Sequence, residues 1–477
     1  MPRSIIYSEK YGTSGISSIY VRNSKGSSSL IELSDGLESP PRTNIFSRAA
    51  DLFTEVFLPQ GFPVSVRDDY ISYQIWDTVQ AFCSTISGIL TTHAVMKSVG
   101  VGDATATALS ATITWVLKDG IGMIGRIIFA WWKGHALDTD AKKWRLFADI
   151  VNDTAMFLEL LMLPMFPRHP TQVLCLTTSM KGIVGVAGGA SRAAITQHHA
   201  IRGNNGDVSA KDGSQETCVN LMASTVGMAL LTYTEDATSV WLLFSVVTLL
   251  HLVANYMAVR SLALVTFNSE RFCLYLHKYL ATENSYSPRQ VNEWESVFVG
   301  FSYGAKDLCG FHVKLGCSVK HLVQSGVTTS EELLVVSNMF RHRLYLLLPH
   351  RRTRTVYVLF ASSAITLDVL QAYFHSVLVA LAIALVDNVP VKIDKEISKS
   401  RILTSVEAGL KKLNTSKFAG FPIEAVSVTN DIVDREFEKF HQGIVRGGWS
   451  TDSHSLLVEE WRGSWHDSGS AEPTKDK

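Results

Sequence analysis

The stretch Val240–Val259 runs for twenty residues without a formal charge, between Glu235-Asp236 on one side and Arg260 on the other. A helix of that length rises about 30 Å, the thickness of bilayer hydrocarbon. Such a segment crosses a membrane or fills the middle of a large core. Its polar members, His251 and Asn255, are one turn apart and so share a face. Its neighbours are shorter or interrupted. Ala81–Met96 and Ala104–Leu117 carry no charge, but each falls below the roughly 18–20 residues of a span. Arg126 breaks Ile121–Trp132, Glu159 and Pro164 break Thr154–Phe166, and Lys181-Gly182 separates Thr171–Met180 from Ile183–Ser191. Residues 49–270 therefore read as a mainly α, multi-helix, glycine-rich apolar domain with at least one span. The basic end at Arg260 and Arg271 puts the C-terminal side in the cytoplasm.

Lys plus Arg and Asp plus Glu each total 44, so the chain has no net positive field to attract nucleic acid, and no nucleic-acid partner is expected. Only 18% of residues are charged, against about 25% in soluble proteins. The six cysteines are scattered and form no Cys-x-x-Cys, which argues against a disulfide framework. Residues 1–48 are Ser- and Gly-rich and read as a disordered polar tail with no apolar signal core. Residues 271–335 read as a helical linker region. Residues 336–465 read as a smaller α/β domain, in which Arg343–Leu348 and Thr355–Phe360 form a hairpin with a basic loop. Leu367–Val386 fits a second span or a helix packed on that sheet. Residues 466–477 read as a second tail.

Several motifs invite chemistry. Gly120-x-Gly122-x-x-Gly125 has the form of a dinucleotide loop, but the next acid, Asp138, comes too soon for the helix and strand such a site needs. Glycines that let helices approach are the better reading, and Gly185-x-x-x-Gly189 supports it. Asp119 and Arg126 lie on the first glycine helix, and Arg192 ends the second. Between them Arg145, Asp149, Asn152 and Glu159 step by four, three and seven along one face, with Asp153 beside them. The expectation is that Arg126 or Arg192 pairs with Asp149, Asp153 or Glu159. Such a cluster either sets helix register or lines a path for a polar solute or ion. An enzyme using Asp149, Asn152 and Glu159 is the least favoured reading, and no catalytic residue is assigned. The polar run 202–217 reads as a loop that could hold a ligand through Asn204, Asn205, Asp207, Lys211, Ser214, Gln215 and Glu216, with Ser214 and Thr217 capping the next helix. Cys309, His312, Cys317 and His321 have irregular spacing for zinc, so neither a metal nor a cofactor is expected.

A set of separate stretches, in order, resembles the root UV-B sensitive family. They include Leu58-Pro59-Gln60-Gly61-Phe62-Pro63, Asp69-Tyr70, Tyr73-Gln74-Ile75-Trp76-Asp77-Thr78-Val79-Gln80 and Lys118-Asp119-Gly120-Ile121-Gly122. Lys143-Trp144-Arg145 with Asp149, Gly185–Ala190 with Arg192, and Asn204–Thr217 continue the match. The likeness covers residues 55–265 closely and extends loosely to Gly448–Asp452 and Glu460-Trp461. It is closer to the animal members. The resemblance implies a membrane-associated protein with a homo- or hetero-oligomeric partner of the same family; the glycine faces, the acids on apolar helices and the Val240–Val259 span make it read as a scaffold or small-solute carrier. Plant members are tied to UV-B tolerance, early seedling growth, auxin transport and vitamin B6 balance, which implies as the alternative a soluble binding module for pyridoxal phosphate homeostasis. No catalytic residues are carried over, and the organelle stays open.

Overall fold

The computed structural model describes residues 5–10, 17–22, 30–34, 37–38, 45–98, 108–233, 236–387, 397, 400–412 and 422–465. The fold is mainly helical and divides into two compact units. One comprises residues 1–132 with 144–262, the other 133–143 with 263–477.

The first unit opens with β1 (Ile5–Lys10), β2 (Ser17–Arg22), β3 (Leu30–Ser34) and β4 (Leu37–Glu38), an antiparallel meander. These strands fall within the stretch whose Ser and Gly content suggested a structureless tail. Ile19-Tyr20-Val21 is a β-branched and aromatic run that prefers a strand whatever the composition around it. The segment expected to be a second tail, 466–477, lies outside the described residues.

Seven helices follow: α1 (Ile45–Phe57), α2 (Tyr70–Ser98), α3 (Ala108–Lys133), α4 (Ala141–Met165), α5 (Pro170–His199), α6 (Asn205–Tyr233) and α7 (Ala237–Ser261). α2 packs along both α6 and α7. Their shared core joins Ile86 and Leu90 of α2, Met156 and Leu160 of α4, Ala223 of α6 and Phe244 and Val247 of α7. The glycine pattern of α3 lies in mid-helix, with Ile113–Leu117 helical before it, which removes the dinucleotide reading. Its purpose is a close crossing with α5. A Cβ at Gly182 would sit 2.6 Å from the Gly122 carbonyl oxygen, and one at Gly122 would sit 2.8 Å from the Thr178 methyl. Gly189, by contrast, meets nothing within 4 Å and takes no part in the crossing.

α7 is inverted relative to a soluble helix. His251 and Asn255 are buried among Phe244, Val247, Ala254 and Ala258, while Leu242, Val246, Leu249, Leu250 and Val253 are exposed. The same holds for Ile113, Val116, Met123, Ile124, Ile127 and Ile128 of α3 and for Leu221, Met222 and Met228 of α6. Helices α5, α7 and the later Thr366–Val386 are long and apolar enough to cross a membrane.

The second unit has an ordinary core. α8 (Ser269–Thr282), α9 (Pro288–Trp294) and α10 (Ala305–Cys309) precede β5 (His312–Leu315), α11 (Val319–Gln324) and α12 (Ser330–Met339). The expected hairpin follows as β6 (Tyr345–His350) and β7 (Thr355–Ala361), antiparallel from Tyr345 opposite Phe360 to His350 opposite Thr355. β5 and the short β8 (Arg462–Gly463) pair parallel with β7. α13 (Thr366–Val386) packs on this sheet and against α15 (Ile423–Gly447), with α14 (Arg401–Lys412) beside them. Of the two roles open to Leu367–Val386, the structure shows the core helix. Its apolar window is 83% buried, and Val369, Leu370 and Ala372–Ala384 lose nearly all contact with solvent. Trp449 stacks on Phe267 at 3.9 Å and closes one end of this core.

Candidate functional site

The polar residues of the first unit meet inside the bundle. α4 presents Arg145, Asp149, Asp153 and Glu159 toward its neighbours, because residues three and four apart share a helical face. Arg145 Nη2 donates to Asp77 Oδ1 of α2 at 2.8 Å. Asn255 of α7 donates to Asp149. His251 Nδ1 lies 2.7 Å from Asp153 Oδ2, and its Nε2 lies 2.9 Å from Gln80 Nε2. The imidazole is thus fixed at both nitrogens between α4 and α2. The result is a buried ladder running from Asp77 through Arg145, Asp149 and Asn255 to Asp153, His251 and Gln80.

The expected partners for the arginines are corrected. Arg192 pairs with α6, its guanidinium 2.6 Å from both Asp212 Oδ2 and Glu216 Oε2. Glu159 is held by Lys181, whose Nζ reaches both carboxylate oxygens at 2.7 Å. Arg126 is exposed and runs over the glycine face of α5, where a Cβ at Gly185 would lie 3.7 Å from its Nε. α5 follows α4 directly, so Lys181 is brought to Glu159 by the antiparallel turn, while Arg192 lies three turns further along α5 and faces α6. Asp119 is exposed, 3.5 Å from Lys118.

Two cavities flank the ladder. One of about 220 Å³, almost wholly polar in its lining, is walled by Asp77, Gln80, Arg145, Asp149, Arg192 and Glu216. The other, of about 400 Å³, is walled by Asn152, Glu159, Lys181, Lys118 and Trp115 among others. Ser84 of α2 lines both. Arg145, Asp149 and Arg192 thus line the smaller cavity and Asn152 and Glu159 the larger, Asp153 is held by His251 in the ladder between them, and Arg126 and Asp119 line neither. Three carboxylates and two guanidiniums around the smaller cavity suit a small polar solute that both donates and accepts hydrogen bonds.

The 202–217 run is not a loop. α6 begins at Asn205, so Ser214 and Thr217 lie inside the helix and donate to the carbonyls of Ala210 and Gly213 rather than capping it. The glycines and asparagines that suggested a turn account only for its first few residues. Asn204 donates to the Ser65 carbonyl at 3.2 Å, and Asp207 accepts from the Gln60 amide at 2.7 Å. Lys211 donates to the Glu55 carbonyl, and Gln215 to the Phe57 carbonyl. Asn205 is exposed and Glu216 belongs to the Arg192 pair. The run is thus a strap that holds residues 55–65 rather than an open ligand loop.

In the second unit Cys309 donates to the Ala305 carbonyl and Cys317 to that of Lys314. Burial pushes the Cys309 thiol up to about 12 and the Cys317 thiol up to about 11, so both stay protonated thiols. Among the described residues one group of His, Cys, Asp or Glu converges with metal-ligand spacing: Asp69, His198 and His199. Sequence reasoning missed it because Asp69 and the histidine pair lie 129 residues apart. Asp77, Gln80, Lys181 and Asp212 were missed for the same reason; only the helical spacing of Asp77, Gln80 and Ser84 hints that they share a face.

Taken together, these features define a protein of two parts, a helical bundle with a polar interior and apolar flanks followed by a small α/β unit. Residues 44–283 match the domain family described as the vitamin B6 photo-protection and homoeostasis domain, and residues 284–465 match the C-terminal domain of root UVB sensitive proteins. The chain belongs to the root UVB sensitive family. It is 32% identical to Protein root UVB sensitive 3 of Arabidopsis thaliana over 442 residues, 91% of each chain. It is 45% identical over 252 residues to RUS family member 1 of Dictyostelium discoideum, covering 52% of this chain and 48% of that one. Protein root UVB sensitive 2, chloroplastic, of Arabidopsis thaliana is 28% identical over 242 residues, 50% of this chain and 55% of that one. No solved structure matches.

Proposed function

We propose that the first unit is embedded in a bilayer and carries a small polar solute along the tract between α2, α4, α6 and α7. The observation that supports this most is the inversion of α7, with His251 and Asn255 inside and leucines and valines outside. Contiguous exposed apolar surface of this extent marks a membrane or a partner, and a helix of 25 residues spans about 37 Å, enough for the hydrocarbon layer. Trp131 and Trp132, exposed at the Lys133 end of α3, suit the headgroup level. Ionisable residues inside such a bundle face a pathway rather than lipid. The Arg260 end of α7 is cytoplasmic in this reading. Carbonate extraction of cell membranes tests it: the protein stays in the pellet with integral markers. Recovery in the supernatant rejects it.

A second reading rests on the description of the matched domain. In it the unit binds a vitamin B6 compound, with the polar cavity as the pocket. Pyridoxal phosphate then raises the melting temperature of the purified protein, and Asp149→Asn abolishes the rise. An unchanged melting temperature at saturating ligand removes this reading.

A further inference from the structure

We propose that Asp69, His198 and His199 form a binding site for a divalent transition-metal ion of the zinc class, at the end of α5 and apart from the polar tract. One ligand atom from each residue lies within 4.8 Å of the others. His198 Nε2 is 2.8 Å from Asp69 Oδ2, and His199 Nε2 is 3.7 Å from Asp69 Oδ1. Tetrahedral ligands at zinc-type bond lengths stand about 3.3 Å apart, and the two histidine–carboxylate separations, each to its own Asp69 oxygen, fall on either side of that spacing. Small rotations of the rings close the difference.

A second observation points the same way. His199 is 2% exposed, yet its Nε2 is buried without a hydrogen-bond partner. Buried polar atoms are rarely left so, because desolvation is not compensated. The ring cannot swing out to water. It is boxed in by Tyr70, Tyr73 and His198, each with its ring centre 5.3 Å away. A coordination bond would satisfy the orphaned nitrogen.

The site is also held before any ion arrives. Val66 bridges to Ala200, the Arg67 amide donates to the His199 carbonyl, and Arg67 Nε donates to the His198 carbonyl at 2.7 Å. The segment carrying Asp69 is thereby pinned to the helix end carrying both histidines. Two imidazoles and one carboxylate favour zinc, cobalt or ferrous ions over calcium and magnesium, which want more oxygens. An ion here would clamp the segment before α2 onto α5.

Metal analysis of the full-length protein, purified in detergent, loaded with zinc and dialysed, tests the site. One zinc per chain is expected, and His199→Gln and Asp69→Asn are expected to lose it. His321→Gln, in the other unit, keeps it. Cobalt substitution of the unaltered protein provides a readout that does not depend on variants folding: visible d–d bands appear on loading and vanish with excess zinc. Absence of cobalt bands together with no retained zinc in the unaltered protein overturns the proposal. So does zinc retained equally by well-folded His199→Gln.

Discussion

α7 and α13 are almost equally apolar, yet 22% of the α7 window is buried against 83% of the α13 window. The difference lies in what each helix was given to pack against. α13 has a sheet on one side and α15 on another, so apolar side chains on every face find partners. α7 has α2 and the polar face of α4, so its inward face carries His251 and Asn255 and its leucines are left outside. Charges follow the same division. In the second unit Lys142, Arg271 and Glu295 form a sealed cluster, with Glu295 2.7 Å from Arg271 and 3.2 Å from Lys142. In the first, Lys181 beside Glu159 opens onto a cavity. The first cluster is sealed inside the fold, whereas the second borders open space.

The comparison can be broken at several points. Glu295→Gln leaves two buried cations uncompensated and is expected to cost about 3–5 kcal/mol of stability. Glu159→Gln frees a lysine that is already half-exposed and is expected to cost about 1 kcal/mol or less. Denaturant unfolding in detergent measures both, and equal losses would erase the distinction between sealed and open clusters.

Next, Leu378→Ala in α13 is expected to cost about 2–5 kcal/mol, and Leu249→Ala in α7 less than about 0.5 kcal/mol. A large loss at Leu249 in detergent would show that protein rather than lipid covers it. Gly182→Val drives a branched side chain against the Gly122 carbonyl and is expected to cost about 1–3 kcal/mol by the same measurement.

The smallest effect is the pH dependence of the second unit. Burial holds His375 well below its ordinary 6.5, between the Tyr345 hydroxyl and Thr429. Burial raises the Glu295 carboxyl, but Arg271 and Lys142 outweigh it and hold the group below its ordinary 4.5. Both depressed values mean that the unfolded chain binds more protons in acid, so stability rises with pH. The His375 contribution is complete above about pH 6.5 and the Glu295 contribution above about pH 4.5. Each is lost as pH falls through the folded value. His375→Gln removes the earlier onset in a series of melting curves, and Glu295→Gln flattens the later limb.

Much of this was legible in the chain. The hairpin announced itself through two β-prone runs around Pro349–Arg354, and the spacing of Gly120, Gly122 and Gly125 announced a close helix crossing, although the Gly189 read with it takes no part. The face shared by His251 and Asn255, and that shared by Arg145, Asp149 and Glu159, followed from helical periodicity. The Asn204–Thr217 run misled because asparagine and glycine mark turns by local preference, while packing of α6 against the preceding segment rewards helix from Asn205 onward. In the N-terminal stretch, Ser and Gly content hid β-prone runs such as Ile19-Tyr20-Val21, which lie in described strands.

By itself the sequence determined which faces are polar, where glycines permit contact and that Val240–Val259 is long enough to cross a bilayer, because periodicity and length are local properties; the runs on either side of Lys181-Gly182 read as separate, and only the structure joined them into the 30-residue α5. Only the tertiary structure decided that α13 is a core helix while α7 is not, that Arg192 serves Asp212, and that Asp69 meets two histidines. Hydropathy counts apolar groups without naming their neighbours. The partner of a charge depends on how helices far apart in the chain cross.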